Sequence, residues 1–187
     1  MSSGIKIFSY LPNPRVWKSL IAANLCGANV EVVGDEPKNL PNWLWDYDAR
    51  ELTEDDRANS ALIRKGRRGF TNDLYKTDEF LLAHPFGTVP AAFDLKTKSG
   101  IFESNSIMRA VARSGKPNNL FGGNDYVLAS RIDSFLDVNL VFSREHQVYI
   151  LSVEKMNQVL YNRMKSAYEF YLDGIESALS KSEFISG

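Results

Sequence analysis

The first 34 residues switch from a strand pattern to a helix pattern and back, and this alternation limits the fold more than any other feature. Apolar residues alternate over residues 5–10, a helical period follows over residues 15–27, and valines return over residues 30–34. Two strands joined by one helix form a parallel pair with a right-handed crossover. The helix is expected to use an apolar face of four residues: Val16, Leu20, Ala23 and Leu25.

Later segments extend this α/β pattern and then replace it with helices alone. A short helix is predicted over residues 77–82, a hairpin over residues 89–95 and 100–102, and a helix from Ser104 to near Gly115. Residues 116–124 are rich in turn formers and predict a linker. Two long helical patterns follow within residues 125–187, so the second domain is predicted to be all-helical.

Residues 35–76 differ in kind from the rest of the first domain. They are strongly charged and too long for an ordinary connection, so they form either a lid or an insertion with helical structure of its own. We favour the insertion, with Trp43 and Trp45 anchoring it to the core. The basic run at 64–68 is interpreted as a solvated loop, although it could also contact an anionic ligand.

Composition excludes several classes of protein. Twenty-two basic residues stand against 23 acidic ones, and the resulting net charge of −1 argues against a nucleic-acid binder. The single cysteine, Cys26, rules out an intramolecular disulfide, and two isolated histidines do not suggest a metal site. With neither a signal-peptide pattern nor a long apolar run, no membrane contact and a cytoplasmic location are expected.

A proline opens the predicted hairpin, in the segment Gly87-Thr88-Val89-Pro90-Ala91. A cis peptide before Pro90 would turn the amide and carbonyl of Val89 outward, where they could pair with an extended, peptide-like ligand. The alternative is an ordinary trans proline at the start of an edge strand. This motif alone favours the trans form, but together with the possible anion site at the following helix start we predict the cis form.

The helix after the hairpin begins with a possible anion site. Free backbone N–H groups at a helix start attract a carboxylate, and the Ser104 hydroxyl could donate to the same anion. Glu103 could accept from an ammonium, so the pair suits the α-amino acid end of a ligand. Alternatively, Ser104 only caps the helix.

The turn between the first strand and the first helix lies where open α/β sheets bind ligands. Ser9, Tyr10 or Asn13 could donate a hydrogen bond to a thiolate there. Lowering a thiol pKa by about two units takes roughly 2.7 kcal/mol, within reach of one or two donors and a helix N-terminus. The same residues also suit a plain turn.

Together these segments resemble the glutathione transferase superfamily, in which a thioredoxin-like domain precedes a helical bundle. The resemblance rests on the order of elements and on the segments 87–91 and 102–107. Residues 10–27 and 102–105 are similar to the transferase-like domain of the elongation factor 1B gamma subunit. Bacterial glutathione-dependent β-etherases, which cleave aryl ethers, include similar transferases.

The resemblance implies a thioredoxin-like domain at 1–115 with glutathione as cosubstrate. Val89, next to Pro90, would pair with the cysteinyl unit, while Glu103 and Ser104 would hold the γ-glutamyl end. The thiolate stabiliser is expected near the first turn. The candidates in order of preference are Asn13, Ser9 and Tyr10, and Arg15 would help to orient the ligand.

The resemblance also implies an enzyme whose glutathione thiolate attacks a small hydrophobic or aromatic electrophile, such as a β-aryl ether that releases a phenol. The alternative is a non-catalytic assembly domain like that of the gamma subunit. Because such proteins continue with further helices, the helical domain is expected to be truncated. Aromatic residues of this domain also favour a homodimer, or a heterodimer with a related transferase subunit: Phe135, Phe142, Tyr149 and Tyr168.

Overall fold

A computed structural model describes residues 4–67, 69–116 and 120–186. The chain divides into two compact units, Met1–Leu120 and Phe121–Gly187. Their boundary falls inside the predicted linker, of which residues 117–119 lie outside the described part. The α/β unit followed by a helical unit confirms the fold class expected from the sequence.

The first unit contains the predicted strand–helix–strand start and the predicted hairpin. Its elements in chain order are β1 Ile5–Tyr10, α1 Pro14–Cys26, β2 Val30–Asp35, β3 Trp43–Trp45, β4 Arg50–Glu51, α2 Glu54–Ala58, β5 Ile63–Arg64, β6 Leu74–Lys76, α3 Asp78–Ala83, β7 Ala91–Asp94, β8 Gly100–Phe102 and α4 Ser104–Ser114. The main sheet has the strand order β2-β1-β7-β8. β1 is parallel to β2 and antiparallel to β7, and β7 is antiparallel to β8.

The segment predicted as an insertion contains α2 and two short 3-10 turns, which agree with the expected helical structure. It also contains a second small sheet that was not expected, with strand order β4-β3-β6-β5. The strands were missed because each has only two or three residues, too few to show alternation. Arg68, part of the basic run, lies outside the described residues.

Strand β1 is buried on both of its faces. Ile5 and Ile7 belong to an apolar cluster that includes residues of α1 and α4, among them Val16 and Val111. Phe8 points the other way and belongs to a second cluster, formed with the following residues: Leu40, Trp45, Ala49, Leu74, Phe80, Ala91 and Phe93. The small sheet therefore covers one face of the main sheet, and Trp45 anchors it there as predicted.

The buried face of α1 differs from the predicted one. Leu20 is 39% exposed and Leu25 is 63% exposed. Val16 and Ala23 are buried as predicted, and the other buried residues of the helix have small side chains: Ser19, Ala22 and Cys26. Small side chains let α1 approach its neighbour closely, and the Cys26 thiol lies 3.6 Å from the carbonyl oxygen of Val111 in α4. The periodic pattern predicted that the larger apolar residues are buried, because it depends on hydrophobicity and takes no account of side-chain size.

The second unit consists mainly of two long helices, α5 Tyr126–Leu151 and α6 Gln158–Leu179. Phe142 of α5 stacks on Tyr171 of α6 with ring centres 4.4 Å apart, and Arg163 pairs with Glu145. No residue within α5 or α6 is fully buried. In the part of the chain that the structure describes, no helix has the length and apolar character needed to cross a membrane.

The joint between the two sheets can be tested with two matched leucine substitutions. Leu40 is completely buried in the second cluster, whereas Leu82 in α3 is 85% exposed. We expect Leu40→Ala to lower the free energy of unfolding by about 2–5 kcal/mol through lost burial and a cavity. Leu82→Ala should change it by less than about 0.5 kcal/mol. Urea unfolding measures both, and equal effects would contradict the described packing.

Candidate functional site

The peptide bond between Val89 and Pro90 is cis, which confirms the conformation predicted from the sequence. Val89 lies just before β7 and outside its ladder, and Pro90 is buried. Among the described residues, no backbone hydrogen bond to the amide or carbonyl of Val89 is formed. These groups can therefore pair with an added extended chain.

The hairpin register brings this loop towards the start of α4. Ala91 of β7 pairs with Phe102 of β8 in an antiparallel ladder. Val89 precedes this pair by two residues and Ser104, the first residue of α4, follows it by two, so both lie at the same end of the hairpin. The sequence analysis places the two motifs next to each other, and the register agrees in bringing both to this end.

Glu103 and Ser104 lie at the junction of β8 and α4. Ser104 is the first residue of α4 and is 8% exposed. Glu103 has a φ of 65° and a ψ of 122°, and its side chain is exposed. A positive φ at a non-glycine residue is strained, and such strain is concentrated at binding and catalytic sites.

Asn13 and Ser9, two of the three predicted thiolate donors, are fully buried and bonded to each other. The Asn13 amide donates to the Ser9 hydroxyl oxygen over 2.9 Å, and its Oδ1 accepts from the backbone N–H of Arg15 over 3.0 Å. Asn13 thereby caps α1. Because Ser9 shares a strand face with Ile5 and Ile7, it points towards α1. Direct contact of either residue with a thiolate stays a prediction and would require a rearrangement.

Tyr10 is the member of this group that lies at the surface. It ends β1, is partly exposed and packs at the edge of the second apolar cluster. Tyr10 pairs in the parallel ladder with Asp35, the last residue of β2. Of the three predicted thiolate donors, Tyr10 is therefore the one that is not fully buried. Arg15, in the first turn of α1, is also exposed.

Lys76 is a residue of this region that the sequence reasoning missed. It is only 7% exposed, donates to the carbonyl oxygen of Gly87 over 2.6 Å and lies 4.2 Å from the centre of the Trp45 ring. Burial, together with Arg64 and Arg67, lowers the pKa of Lys76 to about 8. Strand alternation in β6 was the available signal, because it places Lys76 on the same face as buried Leu74.

A second lysine links the two helix starts of the site. The Lys18 ammonium in α1 donates to the side-chain oxygen of Asn105 in α4. Burial, with further contributions from the charges of Arg15 and Arg109, lowers the pKa of Lys18 to about 8, while Glu103 acts in the opposite direction. Lys18 therefore connects α1 to the first turn of α4.

A cavity of about 400 Å³ lies next to the end of β2. Its lining is polar and consists of Asp35, Asn39, Asn42, Trp43, Glu51 and Arg57. Pockets for aromatic molecules are mostly apolar, so this cavity does not resemble one. Among the described residues, no group of three or more His, Cys, Asp or Glu side chains could hold a metal ion.

Glutathione transferases of known structure share this fold. The match to a delta-class glutathione transferase of Nilaparvata lugens covers 98% of this chain and 70% of the Nilaparvata chain, with a TM-score of 0.63 and 16% sequence identity. The match to a point mutant of poplar glutathione transferase F1 covers 100% of this chain and 74% of the poplar chain, with a TM-score of 0.62 and 16% sequence identity. The match to maize glutathione transferase I, in complex with an atrazine glutathione conjugate, covers 98% of this chain and 73% of the maize chain. Its TM-score is 0.62 and the sequence identity is 17%.

No family model and no curated protein matches the sequence. At sequence identities of 16–17%, structural similarity establishes the fold alone. The chain therefore has the fold of the glutathione transferases.

The capping role of Asn13 can be tested on α1 itself. We expect Asn13→Ala to lower the free energy of unfolding by about 1–3 kcal/mol, because it removes both hydrogen bonds of the buried amide. Asn13→Asp should cost less, since a carboxylate still accepts from the helix start. Asn24→Ala, on the exposed side of α1, is the control and should change the unfolding free energy by less than about 0.5 kcal/mol. Equal stability of the two alanine variants in urea would contradict the capping role.

Proposed function

We propose that the chain binds glutathione along the Val89–Pro90 loop and the start of α4. The observation that carries this proposal is the Val89 backbone, which forms no backbone hydrogen bond among the described residues and lies at the same end of the β7–β8 hairpin as the start of α4. The cysteinyl unit would add to β7 as a short strand does, through the Val89 amide and carbonyl. The γ-glutamyl carboxylate would accept from Ser104 and from the helix N–H groups, and its ammonium would donate to Glu103.

Lys76 extends this proposal to the other end of the tripeptide. Its ammonium lies at Gly87, two residues before Val89 in the chain. A glycyl carboxylate placed there would form a charge-assisted hydrogen bond. The nearly complete burial of Lys76 means that its side chain must shift to make this contact.

The proposed reaction is the transfer of glutathione to an electrophilic carbon. The thiolate attacks that carbon, a C–S bond forms, and the bond to the leaving group breaks. With a β-aryl ether the C–O bond breaks, and the phenolate that leaves takes a proton from water. We propose Tyr10 as the thiolate donor and Arg15 as a residue that orients the ligand, because both are accessible.

One observation favours the alternative of a non-catalytic assembly domain. Asn13 and Ser9 satisfy each other inside the protein, so two of the three expected donors are already used in holding α1 against β1. A chain of this fold could therefore bind glutathione without catalysing its transfer.

An activity assay distinguishes the two functions. The chain is incubated with glutathione and either a general electrophile or an aryl ether, and conjugate and released phenol are measured. For an enzyme we expect Ser104→Ala to raise KM for glutathione about tenfold, since a hydrogen bond to a charged group is lost. Tyr10→Phe should lower kcat about tenfold or more near neutral pH, because it removes the proposed donor.

Two matched controls accompany these variants. Ser99→Ala lies in the turn at the opposite end of the β7–β8 hairpin, and Tyr47→Phe alters a tyrosine that packs against Phe93. Both should retain full activity. Glutathione binding without turnover of any electrophile would support the assembly function, and the absence of glutathione binding would contradict both parts of the proposal.

We also propose that the chain associates, either with itself or with a related transferase subunit. Phe142 is covered by Tyr171 within the helix pair, but Tyr168 remains 45% exposed and neither helix has a fully buried residue. Two helices without a buried core leave apolar surface for a partner. Sedimentation of the full chain should show a dimer. A chain that stays monomeric, both alone and when purified from its source, would contradict this proposal.

A further inference from the structure

The loop over residues 85–89 carries the Val89 backbone and has few hydrogen bonds. The Gly87 amide donates to the carbonyl oxygen of His84 over 2.8 Å, which closes a tight turn. The Gly87 carbonyl oxygen accepts from the Lys76 ammonium over 2.6 Å. Among the described residues, no other hydrogen bond joins this loop to another part of the chain. Lys76 is therefore the side chain that holds the turn before Val89 by hydrogen bonding.

Gly87 fits closely against this lysine. Its φ of 57° lies in the left-handed region that favours glycine. A Cβ added to Gly87 would lie 3.3 Å from the Nζ of Lys76 and 3.2 Å from the Cδ2 of Leu81. On the outer side of the loop, Phe86 is 71% exposed and contacts Phe102 with ring centres 5.6 Å apart. Lys76 thus supports the turn from its buried side.

Lys76 has no acidic partner to compensate for its burial. It is 7% exposed, and its ammonium lies 4.2 Å from the centre of the Trp45 ring. The charged groups that act on it are Arg64 and Arg67, which are both positive, and it forms no ion pair within the described part of the chain. A buried charge without a partner of opposite sign costs stability. Stability alone therefore does not account for a lysine here, and its bond to the loop carbonyl indicates a role in the loop.

We propose that Lys76 is a positioning residue: by holding the Gly87 carbonyl it fixes the Val89 backbone for an extended ligand, whether or not its ammonium touches that ligand. This inference rests on the proposed function, because the extended ligand is glutathione. A loop that already has its binding conformation loses less conformational entropy when the ligand binds. Without Lys76, a loop that is competent in only about a tenth of the free molecules would bind about tenfold more weakly.

Two ligands separate positioning from direct contact. Glutathione has the glycyl carboxylate that Lys76 is proposed to bind, whereas γ-glutamylcysteine amide lacks the glycyl unit and has no charge at that end. Both keep the cysteinyl amide and carbonyl that would pair with Val89. NMR titrations of the nitrogen-15-labelled full chain measure both affinities, and backbone relaxation of the free chain gives the order parameters of Gly87 and Val89. Lys76→Met keeps a similar length without a donor, and Lys38→Met alters an exposed lysine as the control.

We expect Lys76→Met to bind both ligands about tenfold more weakly than the wild type. In the free variant, the order parameters of Gly87 and Val89 should fall from a rigid value near about 0.85 to below about 0.6. The midpoint of urea unfolding should not fall, because the substitution removes a buried charge that has no acidic partner. Lys38→Met should match the wild type in all three measurements.

Three results would overturn the inference and leave the proposed function intact. The first is a loss of affinity for glutathione alone, because Lys76 would then act only on the glycyl carboxylate. The second is unchanged order parameters at Gly87 and Val89 in Lys76→Met. The third is a lower urea midpoint with disorder across the main sheet, which would make the role of Lys76 a general structural one. No binding of glutathione by the wild type would overturn the proposed function, and this inference with it.

Discussion

The burial of β1 on both faces is the constraint on which the rest of the first unit depends. Ile7 and Phe8 are adjacent in the chain, point to opposite sides and are almost completely buried. Ile7 requires α1 and α4 on one side, and Phe8 requires the small sheet and α3 on the other. Because β1 also pairs with β2 and β7, it has no free edge and no free face. Removing either apolar layer would expose the centre of the sheet.

The same alternation determines what lies at the end of β1. Ser9 continues the face of Ile7 and is held by Asn13, whereas Tyr10 continues the face of Phe8 and reaches the surface. Strand geometry thus separates two neighbouring candidates for the same chemical role. The residue type alone could not separate them, because serine, tyrosine and asparagine can all donate to a thiolate.

Much of the fold could be predicted because its signals are local. The strand alternation of β1, the period of α1, the Thr77 cap of α3 and the long apolar faces of α5 and α6 are all contained in short windows. The small sheet could not be predicted, because strands of two residues have no period. The buried face of α1 was only half predicted, because close packing buries Ala22 and Cys26 and leaves Leu25 exposed. The burial and hydrogen bonds of Lys18 and Lys76 could not be predicted, because their partners are distant in sequence: Asn105 for Lys18 and Gly87 for Lys76.

The most direct measurement is an NMR titration of the nitrogen-15-labelled chain with glutathione. Binding along the cis-proline loop predicts that the largest amide shifts arise at Val89 and at the first residues of α4, Ser104 and Asn105. Because these amides would bond to the ligand, the shifts should be saturable, and Ser104→Ala should need about ten times more glutathione to reach half of them. Saturable shifts confined to other elements, or no shifts at Val89 and Ser104, would contradict the proposed site.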